Sequence, residues 1–273
     1  MFTRQTRRSG PAMVFGLLRV IYHATVREAR KSSRNAVAGL LSRVFTAILM
    51  VVAFYLMFSL LNLRGMALRG DFIVYLMTGI FLFLTHNQAV RSVMNAEGPT
   101  SAMMKHAPMN TIVSISAAAL SSLYMQLLAL GVIFFGVHVA WRPVEIDDPV
   151  GLMHNFMLAW SSGAAIGVLL LALKPWFPSF VRIVSMVYMR ANMITSGKMF
   201  VANTLPASML PFFSWNPLFH TIDQARGAAF INYNPHNTNE TYPLLVTITL
   251  IMLGLMGEFY TRRRASLSWD AAR

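Results

Sequence analysis

Residues 44–63 read VFTAILMVVAFYLMFSLLNL and carry no charged side chain. A helix rises about 1.5 Å per residue, so roughly 20 apolar residues match the hydrocarbon thickness of a bilayer, about 30 Å. The segment therefore predicts a membrane-spanning helix. We compare the length and apolar character of the other segments with those of this one.

Five more segments of similar length and apolar character follow the first one. We place them at about 72–91, 112–140, 150–173, 179–202 and 243–261. The fifth differs from the others because Arg182, Arg190 and Lys198 interrupt it. The sequence thus predicts an all-α membrane protein with six transmembrane helices.

Composition agrees with this class and excludes several kinds of site. Of 273 residues, 56% are hydrophobic and 12% are charged, whereas a soluble domain carries about 25% charged residues. Cysteine is absent, which excludes disulfides and thiolate metal sites. The seven histidines show no His-x-x-x-His spacing, so no metal site is predicted. Neither a Gly-x-x-x-x-Gly-Lys-Ser/Thr loop nor a Gly-x-Gly-x-x-Gly motif occurs, so nothing here cradles a nucleotide.

Basic residues divide unequally between the two sides of the predicted spans. Seventeen Lys and Arg residues fall on the side of the N-terminus and four on the other, which holds six of the ten acids. Because cytoplasmic loops are enriched in Lys and Arg, both termini are predicted to be cytoplasmic. The predicted divisions are an N-terminal region at 1–43, a transmembrane domain at 44–261 and a tail at 262–273. The net charge of +13 therefore needs no nucleic-acid partner.

The N-terminal region contains an amphipathic segment. On a helix, its basic side chains lie opposite an apolar face made by Val14, Leu17, Leu18, Ile21, Tyr22 and Thr25. This pattern predicts an interface helix lying along the cytoplasmic leaflet. Two compatible interpretations stay open: a membrane anchor held by anionic lipid, and a docking surface for a cytoplasmic partner.

Residues 93–110, between the second and third spans, predict a short cytoplasmic helix. Pro99 suits the start of a helix, and Pro108 disfavours its continuation. Such a helix would project from the membrane toward the cytoplasm, where a partner protein is able to contact it.

Residues 203–243 lie on the predicted external side, and their apolar stretch at 205–213 is too short to cross the membrane. Asn216-Pro217 has the pattern of an N-cap followed by proline at the first helical position. We therefore predict a re-entrant hairpin that dips partway into the membrane. Such a backbone is tolerated only where protein or a cavity shields it.

Several local motifs accompany this order of elements. They are Met103-Met104-Lys105 before Pro108, Ser196-Gly197-Lys198-Met199-Phe200, Leu205-Pro206, and Trp215-Asn216-Pro217-Leu218-Phe219-His220 with Asp223 and Arg226. Together they resemble the type-2 ABC exporter permeases, in particular the capsular polysaccharide (KpsM-like) exporters. In that family a Ser-Gly pair ends the fifth span, and Asn-Pro-Leu opens the outer helix. Lys198 departs from the family pattern, in which an apolar residue is expected.

The resemblance implies a homodimer that works with two copies of a separate cytoplasmic ABC ATPase, which would bind ATP and Mg²⁺. This chain would hold no cofactor. The implied substrate is a lipid-linked, acidic capsular polysaccharide that crosses a bacterial inner membrane toward the periplasm. A periplasmic adaptor and an outer-membrane exporter are also implied. Alternatives are export of another glycan (O-antigen or teichoic-acid type) or of lipid, secondary transport, and intramembrane catalysis.

No catalytic residue is predicted, and the candidate site residues form three groups. They are Arg190, Lys198 and Trp215 for the substrate path; His220, Asp223 and Arg226 for a closed external gate; and Glu97, Lys105 and Arg27 for coupling to the ATPase. Arg190 lies near mid-membrane, where it is expected to face either anionic substrate or backbone carbonyls. Asp223 and Arg226 are spaced so that their side chains can meet. His86 and Asn87 are predicted to form hydrogen bonds between helices.

Overall fold

The computed structural model describes residues 10–31, 36–61, 71–98, 110–141 and 143–264. Within these ranges the chain is helical and contains no strand. The helices are α1 (Gly10–Lys31), α2 (Ala36–Leu60), α3 (Phe72–Met94), α4 (Thr111–Ala140), α5 (Pro149–Leu173), α6 (Pro178–Thr195), α7 (Leu210–Ser214), α8 (Pro217–Ala229) and α9 (Thr241–Arg264). A 3-10 turn, Ala202–Thr204, lies between α6 and α7.

Five of these helices are long and apolar enough to cross a membrane: α2, α3, α4, α5 and α9. The protein is therefore an all-α, multi-pass membrane protein. The helix bounds lie within three residues of the predicted spans, except that α2 begins at Ala36 instead of at 44. The helix continues past Arg43 because an arginine ends an apolar stretch without disfavouring helical backbone.

The predicted fifth span differs from the structure. We predicted a helix over 179–202, whereas α6 ends at Thr195 and the chain then turns at Gly197, whose φ is 71°. Hydropathy alone did not reveal this break. Because α6 is not among the five long apolar helices of the described residues, a sixth complete span remains a prediction.

The N-terminal helix α1 packs along the start of α4. Val20, Ile21 and Ala24 contact Val113 and Ala117. Other apolar side chains of α1 stay exposed: Val14, Phe15, Leu17, Leu18 and Tyr22. The amphipathic helix is thus confirmed, although Ile21 faces the protein. The exposed apolar residues leave a surface suited to lipid.

Helix α5 is the centre of the bundle and lies between α3 and α9. Its Gly163 approaches the backbone carbonyl of His86, and a Cβ at Gly167 would lie 2.7 Å from Cβ of Val93. On the other side, a Cβ at Gly254 of α9 would lie 2.7 Å from Cγ1 of Val168. Small residues at helix interfaces in membranes let the backbones approach closely. These glycines therefore fix the spacing of three helices.

Helix α8 is enclosed by the bundle and packs against α5, α3 and α9. Leu218, Ile222 and Ala225 are fully buried, and Ala229 is 4% exposed. The N–H of Asp148 donates to the carbonyl of Ala228 at 2.8 Å, which ties the end of α8 to the start of α5. The helix start predicted at Asn216-Pro217 is confirmed, and α8 is buried on nearly all sides.

The contact between α3 and α5 is testable with one methyl group. Gly163→Ala places a Cβ against the backbone carbonyl of His86 and should lower stability by about 1–3 kcal/mol. Gly136→Ala is the matched control, because nothing lies within 4 Å of a Cβ there. Thermal unfolding of the detergent-purified protein measures both. Equal melting temperatures for the two variants would contradict the proposed packing.

Candidate functional site

The candidate site is built around the break between α6 and α8. The helix ends where the N–H of Ser196 donates to the carbonyl of Asn192 at 3.2 Å. Gly197 follows with a φ of 71°, and a Cβ there would lie 2.6 Å from Cδ2 of Phe219. Both the backbone angle and the space therefore require glycine. The Ser-Gly pair found in the sequence turns the chain toward α8.

Breaking a helix inside an apolar bundle leaves backbone carbonyls without intrahelical partners. Arg226 of α8 donates hydrogen bonds to these carbonyls. Its Nη1 donates to the carbonyl of Gly197 at 2.8 Å and to that of Phe200, and its Nη2 donates to that of Lys198 at 2.7 Å. The guanidinium also lies 4.2 Å from the ring centroid of Tyr75. Arg226 is 0% exposed, so these bonds form away from solvent.

A glycine of α3 leaves room for this arrangement. A Cβ at Gly79 would lie 2.9 Å from both Nη2 of Arg226 and the carbonyl oxygen of Lys198. Any larger side chain would therefore displace either the guanidinium or the backbone at Lys198. Lys198 belongs to the stretch between α6 and α8, which we call the broken segment. Neither Gly79 nor Tyr75 was singled out from the sequence, because their roles depend on residues more than 100 positions away.

Asp223 lies one helical turn before Arg226 and holds the other side of the break. Its Oδ1 accepts from the N–H of Ala202 at 3.0 Å and from the hydroxyl of Tyr233 at 2.6 Å. Its Oδ2 accepts from the hydroxyl of Thr238 at 2.8 Å. None of these bonds reaches Arg226. We predicted that the two residues hold a closed gate, either with each other or across a dimer. Within this chain they do not pair with each other, and each holds backbone or loop groups.

An asparagine cluster joins the two helices on either side of the broken segment. Nδ2 of Asn216 donates to Oδ1 of Asn192 at 2.8 Å and to Oγ1 of Thr195 at 2.9 Å. Its Oδ1 accepts from the N–H of Leu218 at 3.0 Å, which confirms the predicted N-cap. Nδ2 of Asn192 also donates to Oδ1 of Asn87 at 3.4 Å. The cluster thus connects the end of α6, the start of α8 and α3.

His86 makes the interhelical hydrogen bonds that we predicted for it. Its Nδ1 lies 3.0 Å from the carbonyl oxygen of Ala159 and 3.1 Å from Oγ of Ser162, and its Nε2 lies 2.7 Å from the hydroxyl of Tyr188. One imidazole therefore links α3, α5 and α6. Asn87 contributes to the same set of contacts through Asn192.

Lys198, which we predicted as a residue of the substrate path, is buried at 2% exposure. Its Nζ donates to the carbonyl of Met193 at 2.7 Å and lies 3.8 Å from the ring centroid of Phe83. The ammonium thus occupies the negative end of the α6 dipole. The side chain faces the bundle and does not reach an open surface of this chain.

Arg190 and Trp215 are exposed, unlike Lys198. Arg190 shares the open side of α6 with Ile183, Val187 and Ile194. Within the described ranges Arg190 has no hydrogen-bond partner, so the alternative of a bond to backbone carbonyls is not realised there. Nε1 of Trp215 donates to the carbonyl of Phe212 at 2.7 Å.

His220 is fixed near the break. Its Nε2 lies 2.8 Å from the carbonyl oxygen of Ser214, and its Nδ1 accepts from the N–H of Asn239 at 3.2 Å. These partners are compatible with a neutral imidazole that carries its proton on Nε2. Its ring also faces Tyr242, with centroids 4.9 Å apart. His220 therefore holds the loops on both sides of α8 in place.

The predicted coupling residues fall in different places. Arg27 is exposed on α1, and Glu97 follows α3. Nζ of Lys174, after α5, donates to the carbonyl of Met94 at 3.4 Å. Burial lowers the pKa of Lys174, and the nearby Glu97 carboxylate raises it in opposition. Lys105 and the predicted coupling helix lie outside the described residues.

Comparison with known protein families gave no matching family model, and no curated protein matches the chain.

The role of Arg226 in stability is testable. Arg226→Leu leaves the carbonyls of Lys198 and Phe200 without a donor, whereas that of Gly197 still accepts from the N–H of Phe200 at 3.3 Å. At about 1–3 kcal/mol for each unpaired carbonyl, the variant should lose roughly 3 kcal/mol of stability. Arg226→Lys should recover only part of this, because an ammonium lacks the planar fork of donors. Arg190→Leu, on the exposed face of α6, is the control. A melting temperature of Arg226→Leu equal to that of the control would contradict the assignment.

Proposed function

We propose that this chain is the membrane-spanning permease subunit of an ATP-driven, type-2 ABC exporter in a bacterial inner membrane. The observation that carries the proposal is the broken α6–α8 segment, whose exposed backbone groups are paired by the buried Arg226 and Asp223. Non-helical backbone at membrane depth is tolerated where protein encloses it or where it lines a cavity. Non-helical backbone at this depth costs free energy, and a role in lining a transport path would explain its presence.

The open face of α6 supports a path between two copies of the chain. Ile183, Met186, Val187 and Ile194 are exposed at helical spacing, with Arg190 among them. An isolated arginine on a lipid-facing surface is costly. A second copy related by two-fold symmetry would shield this face and bring two Arg190 side chains to a shared path.

An anionic substrate suits this arrangement. Two guanidinium groups in a low-dielectric path would replace part of the hydration lost by carboxylates, through charge-assisted hydrogen bonds. The proposed substrate is therefore a lipid-linked, acidic capsular polysaccharide moving from the cytoplasm to the periplasm. Trp215, half exposed at the start of α8, offers an aromatic surface beside the break.

Energy would come from a separate protein. The chain has no phosphate-binding loop, so two copies of a cytoplasmic ABC ATPase would bind ATP and Mg²⁺. We propose that they dock on α1, including Arg27, and on the segment that begins at Glu97. Both termini would then be cytoplasmic, and a periplasmic adaptor with an outer-membrane exporter would continue the route.

We further propose that the gate is the broken segment itself. Arg226, Asp223 and His220 would hold its two ends in a closed shape, and the segment would move when the ATPases close. In this mechanism the gate residues act on the backbone of residues 197–203 and on the loop after α8. They do not form an ion pair across the opening.

A second candidate is a secondary transporter, because broken helices also form substrate sites in that class. The energy source distinguishes the two functions. Export of another glycan or of lipid by the same ATP-driven mechanism is the nearer alternative, and substrate competition separates it from capsular polysaccharide export.

The energy source can be measured directly. The purified chain alone should hydrolyse no ATP. Proteoliposomes that also contain its partner ATPase should move lipid-linked acidic glycan only when ATP and Mg²⁺ are supplied. Transport driven by a proton or sodium gradient without ATP would contradict the proposal and favour the secondary transporter.

Arg190 tests the path. In the complete complex, Arg190→Ala should lower export of acidic glycan by about tenfold, the value of one charge-assisted hydrogen bond, while complex assembly is unchanged. Arg190→Lys should restore part of the rate. Arg182→Ala, at the other end of α6, is the matched control. If Arg190→Ala prevents insertion, or if its export equals that of the control, Arg190 does not line the path.

A further inference from the structure

A polar pocket of about 390 Å³ lies between α2, α3 and α4, apart from the broken segment. Its polar lining is Ser42, Arg43, Thr46, Gln88, Arg91 and Gln126. Ligand pockets in proteins commonly have volumes of about 300–1,000 Å³. This pocket is therefore large enough for a small polar group.

Arg43 is the first indication of a ligand. Its Nη1 is buried and has no hydrogen-bond partner among the described residues. A buried charged donor without an acceptor is costly, and such groups in native proteins are normally paired. The pocket beside this nitrogen has space for the missing acceptor.

Arg91 adds a second positive charge to the pocket from α3. Its Nε donates to Sδ of Met189 at 3.0 Å, and its two Nη groups have no partner in the described part of the chain. None of the described residues that line the pocket is acidic. Two guanidinium groups without a carboxylate favour a multivalent anion, and the planar forks of arginine match phosphate oxygens.

The amides in the pocket complete a set of hydrogen-bonding groups. Gln126 is 4% exposed, and within the described ranges no hydrogen bond holds its side chain. Gln88 lies one helical turn before Arg91 on the same side of α3. Their side-chain amides can donate to phosphate oxygens or accept from a hydroxyl group next to a phosphate.

The pocket lies at the end of the bundle where lipid phosphates are expected. Arg91 is in the last turn of α3, and Arg43 lies two turns from the start of α2. Arg262, Arg263 and Arg264 end α9 on the same side. Basic residues at this level attract the anionic headgroups of the cytoplasmic leaflet.

We propose that the pocket formed by Arg43, Gln88, Arg91 and Gln126 is a binding site for a phosphate group. The phosphate comes either from the headgroup of an anionic lipid or from a soluble diphosphate. The site is independent of the export function proposed above, because none of its residues belongs to the broken segment or to the open face of α6.

Binding is tested on the full-length protein by native mass spectrometry with phosphatidylglycerol, and with diacylglycerol as the matched lipid without phosphate. We expect phosphatidylglycerol to be retained and diacylglycerol to be lost. Arg43→Gln with Arg91→Gln should weaken retention by about tenfold or more, because charge-assisted hydrogen bonds are lost. Arg182→Gln, an exposed arginine of α6, is the control variant and should bind as the unmodified protein does.

Inorganic pyrophosphate distinguishes the two sources. If it displaces phosphatidylglycerol, or binds to the unmodified protein and not to the double variant, the site takes a soluble diphosphate. If it has no effect while phosphatidylglycerol remains bound, the site takes a lipid headgroup. Equal retention of phosphatidylglycerol and diacylglycerol, or equal retention by the double variant and the Arg182→Gln control, would overturn the proposal.

Stability without added lipid gives a readout that does not depend on the probe. Arg43→Gln removes an unpaired buried donor, so its melting temperature in detergent should be unchanged or higher, as is common at sites kept for binding. Because Arg91 is exposed, the Arg91→Gln variant should fold normally. It therefore shows the binding defect even if the double variant is poorly expressed. A lower melting temperature for Arg43→Gln, together with normal lipid retention by Arg91→Gln, would make these arginines structural.

Discussion

Every backbone carbonyl exposed by the break after α6 must find a donor, because neither lipid nor an apolar bundle can supply one. The buried guanidinium of Arg226 meets this constraint for Gly197, Lys198 and Phe200. Its position in turn requires α8 to lie inside the bundle and α3 to carry Gly79 beside it. The broken segment, the enclosed helix and the small residue facing them are therefore consequences of one hydrogen-bonding requirement.

The protein combines a tightly packed frame with an open face. Glycines bring α3, α5 and α9 close together, and His86 links the first two of these helices to α6. In contrast, α6 exposes an apolar face that also carries Arg190. A rigid frame that holds one helix beside an unshielded surface is the arrangement expected if a second subunit completes the path.

The candidate site shows where sequence patterns were informative. The N-cap at Asn216 and the hydrogen-bonding role of His86 were predicted because each depends on local sequence or on a polar group in an apolar helix. The roles of Arg226 and Asp223 were not. Their three-residue spacing indicated that they could contact each other, whereas the backbone groups that they hold at the break lie more than 20 positions away. Spacing on one helix carries no information about such distant partners.

The sequence by itself determined that the chain crosses a membrane repeatedly and where most of its long helices begin and end. It could do so because the bilayer acts on each apolar segment separately, through length and hydropathy. Only the tertiary structure decided that the fifth predicted span stops at Thr195, that Lys198 is buried, and that Arg43 has a donor in a pocket with no partner in the described part of the chain. These features depend on which backbone and side-chain groups come into contact when separate helices pack. A polar group that this packing buries without a partner costs free energy.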